Sequence, residues 1–200
     1  MCHEFIKGWD LDHWLVNFGP IGEQLGSFFV KDLFSYVNYL HQNNISHNNL
    51  FNKSILLCQS SFQIKLTNFE NIYKPEYCTF YQDMCKKVNI NPEEDLTDFD
   101  NFKPSDIFNL GQIVFQMITG SLPFSSYFCK ESKKFIPDPS CPYRQLINDR
   151  KYDDYWFLLD PYKKLTSNFR TLIMKMLIQD QSVTMEMLLN DKWLTTAPTY

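Results

Sequence analysis

The chain has 200 residues, of which 44% are hydrophobic and 21% are charged, the composition of a globular protein large enough for one domain with its own core. A net charge of -4 gives no electrostatic basis for binding nucleic acid or an anionic membrane, and no apolar run approaches the ~18 residues of a membrane span. The 6 Cys residues form no C-x-x-C pair and the 4 His residues have no metal-ligand spacing, so we expect reduced thiols, no metal site and a cytoplasmic location.

The first clear helix is predicted over residues 22–41. Apolar residues recur there every three or four positions, which places them on one buried stripe: Leu25, Phe28, Phe29, Leu33, Tyr36, Val37 and Leu40. Residues 9–15 before it predict a shorter amphipathic turn or helix, and Gly19 and Pro20 end that element.

Two short runs of β-forming residues follow, at 54–58 and 63–67. The polar residues 59–61 between them suit a tight turn, so the two runs predict a β-hairpin. From residue 70 to 101 the pattern is irregular and rich in Tyr, Asp and Asn, which predicts a long loop.

A strongly apolar helix is predicted over residues 106–120, and because it is apolar nearly all round we expect it to be central and buried. Ser105 or Asp106 would cap its start, and Gly120 would end it. Three prolines make residues 125–143 a predicted loop. Three further helical segments are predicted after this loop: 143–159, 168–178 and 184–193.

Residues 47–54 and 68–70 carry the most informative pattern. The first stretch reads His-Asn-Asn-Leu-Phe-Asn-Lys-Ser and the second reads Asn-Phe-Glu. They resemble, in frame, the H-R-D-L-x-x-x-N and D-F-G motifs of the eukaryotic protein kinases. The apolar positions of both motifs are kept, whereas the groups that handle phosphate are replaced.

Further segments resemble the same family in the same order. Residues 91–93 are similar to A-P-E, residues 106–111 to the D-x-W-S-L-G start of the central helix, and residues 119–124 to T-G-x-x-P-F. Residues 176–180 and 193–194 are similar to the closing M-L-x-x-D and W-L. The resemblance covers nearly the whole chain and favours the serine/threonine, calcium/calmodulin-kinase-like branch.

The resemblance implies a mainly α fold, the C-terminal lobe of a protein kinase, built as a helical bundle with one or two small β-hairpins. Residues 1–200 would form one such domain, in which 1–10 are a remnant of the hinge, 40–70 the degenerate catalytic and metal loops, 70–93 the equivalent of the activation segment and 106–194 the helical subdomain. Because the similarity begins at the hinge and no G-x-G-x-x-G occurs, we expect the N-terminal β-lobe to be absent.

By this resemblance, the positions that handle phosphate hold unsuitable residues. Asn49 stands at the position of the catalytic aspartate, and a neutral amide cannot take the proton of a substrate hydroxyl. Asn68 and Ser54 stand at the two metal-binding positions, although Mg²⁺ prefers anionic oxygen. Phe51 replaces the lysine, and Leu56 occupies the floor of the nucleotide site. The cofactors of the family are ATP and Mg²⁺, and we expect this chain to have none.

The scaffold positions of the family are kept: His47, Phe69, Glu93, Asp106, Ile113 and Met117. The resemblance implies that Asp106 holds the backbone of the catalytic loop and that Ile113 and Met117 belong to an internal packing column. The family also pairs the A-P-E glutamate with a late arginine. The sequence after residue 180 has no arginine, and Arg170 is a candidate substitute.

The sequence therefore indicates a kinase-like domain that has lost phosphate transfer and binds another protein. Without a small lobe, the surface around Phe5, Trp9, Leu56 and Phe69 would be partly bare. Bare apolar patches mark partner sites or cause aggregation, so we expect the chain to be poorly soluble on its own. Two alternatives remain open. One is a serine/threonine kinase whose small lobe comes from upstream sequence or from another chain, and the other is a nucleotide binder without catalysis.

Overall fold

Helices make up most of the described part of the chain, which in this computed structural model consists of residues 6–59, 61, 63–72, 103–129, 134–160 and 164–196. These ranges contain eight α-helices, five short strands and two single turns of 3₁₀ helix. The mainly α fold and the small β-hairpins predicted from the sequence are confirmed.

The N-terminal elements are β1 (Gly8–Asp10), α1 (Leu11–Phe18) and α2 (Glu23–Gln42). Asp10 caps α1, because its Oδ1 accepts a hydrogen bond from the backbone N–H of His13 at 2.7 Å. The helix predicted over residues 22–41 is confirmed as α2, and Phe29, Leu33 and Val37 of its predicted stripe are buried. The stripe was wrong at Leu25 and Phe28, which are 49% and 50% exposed, because the buried face of the helix runs instead through Val30 and Phe34.

A three-stranded antiparallel sheet forms from β1 and the predicted hairpin of β2 (Ile55–Cys58) and β3 (Ile64–Leu66). In the middle of the sheet, Leu56 lies opposite Asp10 on one side and opposite Lys65 on the other. The helical turn predicted from residue 9 was wrong for its first two residues, because pairing with β2 holds them extended.

The central helix is α3 (Lys103–Thr119), and its buried residues lie on nearly every side: Asp106, Ile107, Phe108, Leu110, Gly111, Ile113, Val114, Phe115, Met117 and Ile118. The predicted start was wrong, because Lys103 already belongs to the helix, so that Ser105 and Asp106 lie inside it and do not cap it. Asp106 instead turns its carboxylate inward, where donors from a distant loop reach it. Gly120 ends the helix as predicted, with a φ of 78° that favours glycine.

The C-terminal half of the chain adds a hairpin and five helices: β4 (Ser126–Cys129), β5 (Lys134–Pro137), α4 (Pro142–Asn148), α5 (Tyr152–Leu159), α6 (Ser167–Leu177), α7 (Met185–Leu189) and α8 (Lys192–Thr195). The loop predicted over residues 125–143 was therefore wrong in part. Pro137 does not prevent the pairing of β4 with β5, because it lies at the end of the ladder, opposite Ser126.

Two predicted helices are each divided in two. Residues 143–159 form α4 and α5, which are separated at Arg150, a residue with the left-handed φ of 59°. Residues 184–193 form α7 and the start of α8, because Asp191 begins a new helix by accepting a hydrogen bond from the Trp193 N–H at 2.9 Å. Each division depends on one residue, Arg150 or Asp191, and the spacing of apolar residues does not predict it.

One hydrophobic core joins α2, α3 and α6 to the hairpin of β2 and β3. Ile113 and Met117 of α3 lie in this core, with 3% and 0% of their surface exposed. The largest fully buried side chains come from several of the helices and from both hairpin strands: Tyr155, Phe34, Phe115, Phe169, Leu11, Leu33, Ile55, Ile64, Leu110, Met117, Ile147 and Leu172. Within the described ranges, no helix has both the length and the apolar character needed to cross a bilayer.

Candidate functional site

The fully buried carboxylate of Asp106 holds the loop that follows α2. Its Oδ1 accepts a hydrogen bond from the backbone N–H of Asn48 at 2.8 Å. Its Oδ2 accepts from the backbone N–H of His47 at 2.8 Å and from the hydroxyl of Ser46 at 2.7 Å, and lies 3.0 Å from Nε2 of His41. One acidic side chain of α3 therefore fixes both the end of α2 and the start of the loop.

His47 is fully buried and links the loop to the segment after β3. Its Nε2 lies 2.9 Å from the carbonyl oxygen of Thr67, and because a carbonyl only accepts, Nε2 carries the proton. Nδ1 is buried without a hydrogen-bond partner in the part of the chain that the structure describes. The ring lies 4.8 Å from the ring of Phe69, centroid to centroid, so the two motif positions are in contact.

Burial lowers the pKa of His47, and the nearby carboxylate of Asp106 and the hydrogen bond to Thr67 oppose this effect only in part. The unfolded chain, with a histidine pKa of about 6.5, therefore takes up the proton first as the pH falls. We expect the free energy of unfolding to decrease below about pH 6.5 and to level off once folded His47 is also protonated. The other titratable groups of this cluster are Asp106 and His41.

Urea unfolding measured at a series of pH values tests this expectation. His47→Gln should remove part of the decrease, whereas His13→Gln, at an exposed histidine of α1, should leave the profile of the wild-type protein unchanged. A profile that is the same in wild type and His47→Gln would assign the pH dependence to other groups.

Ser54, at one family metal position, is fully buried, and its hydroxyl is used within its own loop. Its Oγ donates a hydrogen bond to the carbonyl oxygen of Phe51 at 2.6 Å and accepts one from the N–H of Phe51 at 3.0 Å. The hydroxyl closes a single turn of 3₁₀ helix, Asn52–Ser54, in front of β2.

Asn68, at the other family metal position, has the left-handed φ of 63° and ψ of 45°. Asn adopts this conformation more readily than most residues with a side chain. Its Nδ2 donates to the carbonyl oxygen of Lys53 at 3.3 Å, which connects the two motif loops. A carboxylate at this position could not donate that hydrogen bond.

The remaining predicted positions lie around these two loops. Asn49 and Leu56 are half-buried, and Phe51 is 37% exposed. Phe69 is half-buried at the start of a 3₁₀ turn, and Glu93 lies outside the described residues. Among the residues that the structure describes, no group of three or more His, Cys, Asp and Glu side chains could hold a metal ion.

Two residues that anchor the loop after α2, Asn52 and His41, were not identified from the sequence. Asn52 is 9% exposed, and its Nδ2 donates to Oδ1 of Asp12 and to Oε1 of Gln116, each at 2.8 Å. Its partners are 40 and 64 residues away, so no local pattern identifies it. His41 could have been found, because it continues the buried stripe of α2 four residues after Val37.

Two arginines of the helical half have different surroundings. Arg170, the candidate partner for Glu93, donates through Nη2 to Oδ2 of Asp160, so this guanidinium is already paired. Asp160 also accepts hydrogen bonds from two backbone N–H groups at 2.9 Å, and these contacts together lower its pKa despite its burial. Arg144 of α4 instead lies over the rings of Phe108 and Phe124.

Comparison with known proteins places these features in a family. A family profile described as "Protein kinase domain" matches residues 1–194 of the chain. The chain is 30% identical over 132 residues to a probable cAMP-dependent protein kinase catalytic subunit of Encephalitozoon cuniculi, covering 60% of this chain and 37% of that protein. It is 24% identical over 204 residues to protein kinase kin1 of Schizosaccharomyces pombe, covering 97% of this chain and 20% of that protein.

Solved kinase structures share the fold. A structure of the Rad53 kinase domain and SCD2 matches with a TM-score of 0.68 at 21% identity, covering 98% of this chain and 66% of that one. The same kinase domain and SCD2 in complex with AMPPNP matches with a TM-score of 0.62 at 20% identity, covering 96% and 67%. This chain spans less than two thirds of the length of the curated relatives named above, and by its family match over residues 1–194 it belongs to the protein kinase family.

Proposed function

We propose that this chain is a protein kinase domain that no longer transfers phosphate and acts by binding another protein. The observation that carries the proposal is the amide of Asn68, which stands at the family metal position and donates to the carbonyl oxygen of Lys53 at 3.3 Å. The neutral amide of Asn68 is a weaker ligand for Mg²⁺ than the carboxylate that the family has at this position. The buried, engaged hydroxyl of Ser54 supports the same conclusion for the second metal position.

The size of the expected losses supports inactivity. Replacing the general base with Asn49 removes a contribution of about 10²–10⁴ in rate. Weakening the metal site removes much of the electrostatic stabilisation of the transferring phosphoryl group. Because active kinases turn over at only about 1–100 s⁻¹, the loss of the base alone lowers the rate to about 1 s⁻¹ or less, and the weakened metal site lowers it further.

A binding role is supported by apolar surface on β1 and α1. Val16 and Phe18 are 84% and 58% exposed. The ring of Phe18 lies 4.8 Å from that of Trp14 and 5.7 Å from that of Trp9, centroid to centroid, so these side chains form one aromatic group. Clustered apolar side chains at a surface are typical of a protein–protein contact.

A phosphate-transfer assay tests the proposed loss of catalysis. We expect the purified chain, given ATP with Mg²⁺ or Mn²⁺ and a generic protein substrate, to transfer no label above a protein-free blank. Asn49→Ala should give the same result, because the amide contributes no base. Transfer by the wild-type chain that Asn49→Ala abolishes would contradict the proposal and favour a residual serine/threonine kinase.

Nucleotide binding without transfer is the second candidate, favoured by the similarity to a kinase structure that contains AMPPNP and by the half-buried Leu56 at the floor position. A ligand that binds only the folded state raises its stability by about 2.7 kcal/mol at 100 times its Kd. We expect saturating ATP and Mg²⁺ to raise the melting temperature by less than about one degree, because the metal-binding carboxylate is missing. An increase of several degrees would support the second candidate.

A further inference from the structure

Arg144 has an unusual environment for a charged side chain. It projects from α4, and its Cζ lies 5.0 Å from the ring centroid of Phe108 and 5.2 Å from that of Phe124. Both rings are buried, with 4% and 3% of their surface exposed, and they stack on each other at 5.9 Å. The guanidinium is thus held in place by cation–π contacts to a rigid part of the core.

The hydrogen bonding of this guanidinium is incomplete. Nη1 donates to the carbonyl oxygen of Leu177, the last residue of α6, at 3.0 Å. Burial lowers the pKa of Arg144, but arginine stays protonated in proteins. No carboxylate among the described residues pairs with it, in contrast to Arg170, which is paired with Asp160. The Arg144 guanidinium has lost part of its hydration, and one hydrogen bond to a neutral carbonyl oxygen compensates for that loss only in part.

We propose that Arg144 is the receiving site for a carboxylate of a partner protein, so that the surface at α4 and the end of α6 binds an acidic segment. The planar guanidinium matches a carboxylate, to which it can donate two hydrogen bonds. Tyr143 of α4 and Ile178, the residue after α6, are each 37% exposed and add apolar surface to the same two elements. An arginine fixed by aromatic rings is a residue type that is common at interface hot spots.

This inference rests on the proposed function, because it names the chemistry of the bound partner. The best match is a segment in which Asp or Glu alternates with apolar residues. Its carboxylate would pair with Arg144, and its apolar side chains would pack on the exposed apolar surface that Tyr143 and Ile178 add to α4 and the end of α6. A carboxylate from this chain is the competing occupant. It would stabilise the isolated fold and leave no role for a partner.

The experiment uses the full chain and two labelled peptides. One peptide alternates Glu with Leu, and the other has Gln in place of every Glu. Binding is followed by fluorescence anisotropy and by the Nε–H signal of Arg144 in NMR spectra, assigned by its loss in Arg144→Met. Arg150→Met is the matched control, because Arg150 is an exposed arginine in the turn after the same helix.

We expect the Glu peptide to bind and to shift the Arg144 signal, and the Gln peptide to bind at least tenfold more weakly. Arg144→Met should weaken binding of the Glu peptide by at least about tenfold, as expected for a lost charge-assisted hydrogen bond, and Arg150→Met by less than about twofold. If circular dichroism shows that Arg144→Met is unfolded, Arg144→Lys is used, which keeps the charge and loses the paired donors. An intermediate loss of binding is then expected.

Three results would overturn the proposal: no shift of the wild-type signal, equal losses in the two arginine variants, or a large fall in the melting temperature of Arg144→Met with unchanged peptide binding. The last result would assign the site to a carboxylate of the chain itself. Phosphate transfer by the wild-type chain would overturn the proposed loss of catalysis and leave these peptide results as they stand.

Discussion

Asp106→Asn is expected to lower the free energy of unfolding by about 3–5 kcal/mol, the range for breaking a buried, hydrogen-bonded charge. The carboxylate is fully buried and receives donors from His41, Ser46, His47 and Asn48. An amide has one accepting oxygen. In either orientation its NH₂ group meets at least one of these donors, and that donor loses its partner.

Urea unfolding measures the effect, and hydrogen exchange locates it. Because domains of this kind have a total stability of about 5–15 kcal/mol, the variant should be partly unfolded or close to it. In the molecules that stay folded, the amides of residues 46–54 should exchange faster, since the loop loses its anchor. Asp153→Asn, at an exposed position of α5, is the control and should change stability by no more than about 0.5 kcal/mol. Equal effects of the two variants would show that Asp106 is not the anchor.

Helices with regular apolar spacing were predictable, because that spacing is a local property. The apolar spacing of α2 from Leu25 to Leu40 predicted the length of the helix, but the inward face only in part, since Leu25 and Phe28 are exposed. The boundaries at Arg150 and Asp191 were not predictable in the same way. Each depends on the conformation or hydrogen bond of one residue, and the apolar pattern runs through it unchanged.

The two motifs predict which residues form the candidate site, but they do not predict the contacts of those residues. The resemblance of residues 47–54 predicts that Ser54 stands at a position that binds metal in the family, but it does not predict that the Ser54 hydroxyl is buried and hydrogen-bonded to Phe51. The role of Asn52 depends on Asp12 and Gln116, which only the folded chain brings near. Contacts between residues distant in sequence decide what each motif side chain can do.

The start of the chain contains a second position with a large expected effect. Gly8 of β1 lies so close to β2 that a Cβ added to it would be 2.0 Å from the carbonyl oxygen of Leu57. That oxygen belongs to the backbone of the central strand, so it cannot move aside without disturbing the pairing of β2 with β3. Gly8→Ala must therefore push β1 away from the sheet.

We expect Gly8→Ala to lower the free energy of unfolding by about 3 kcal/mol, the upper part of the range for overpacking. Gly26→Ala in α2 is the matched control, because its Cβ would lie 2.1 Å from Cδ1 of Ile118, the movable end of a side chain. Rotation of Ile118 relieves that contact, and replacing a helical glycine by alanine gains about 0.5–1 kcal/mol, so the control should be nearly neutral. Urea unfolding of the two variants separates them. Equal stabilities of Gly8→Ala and Gly26→Ala would contradict this prediction. They would show that β1, which carries Trp9, can shift relative to β2 at little cost.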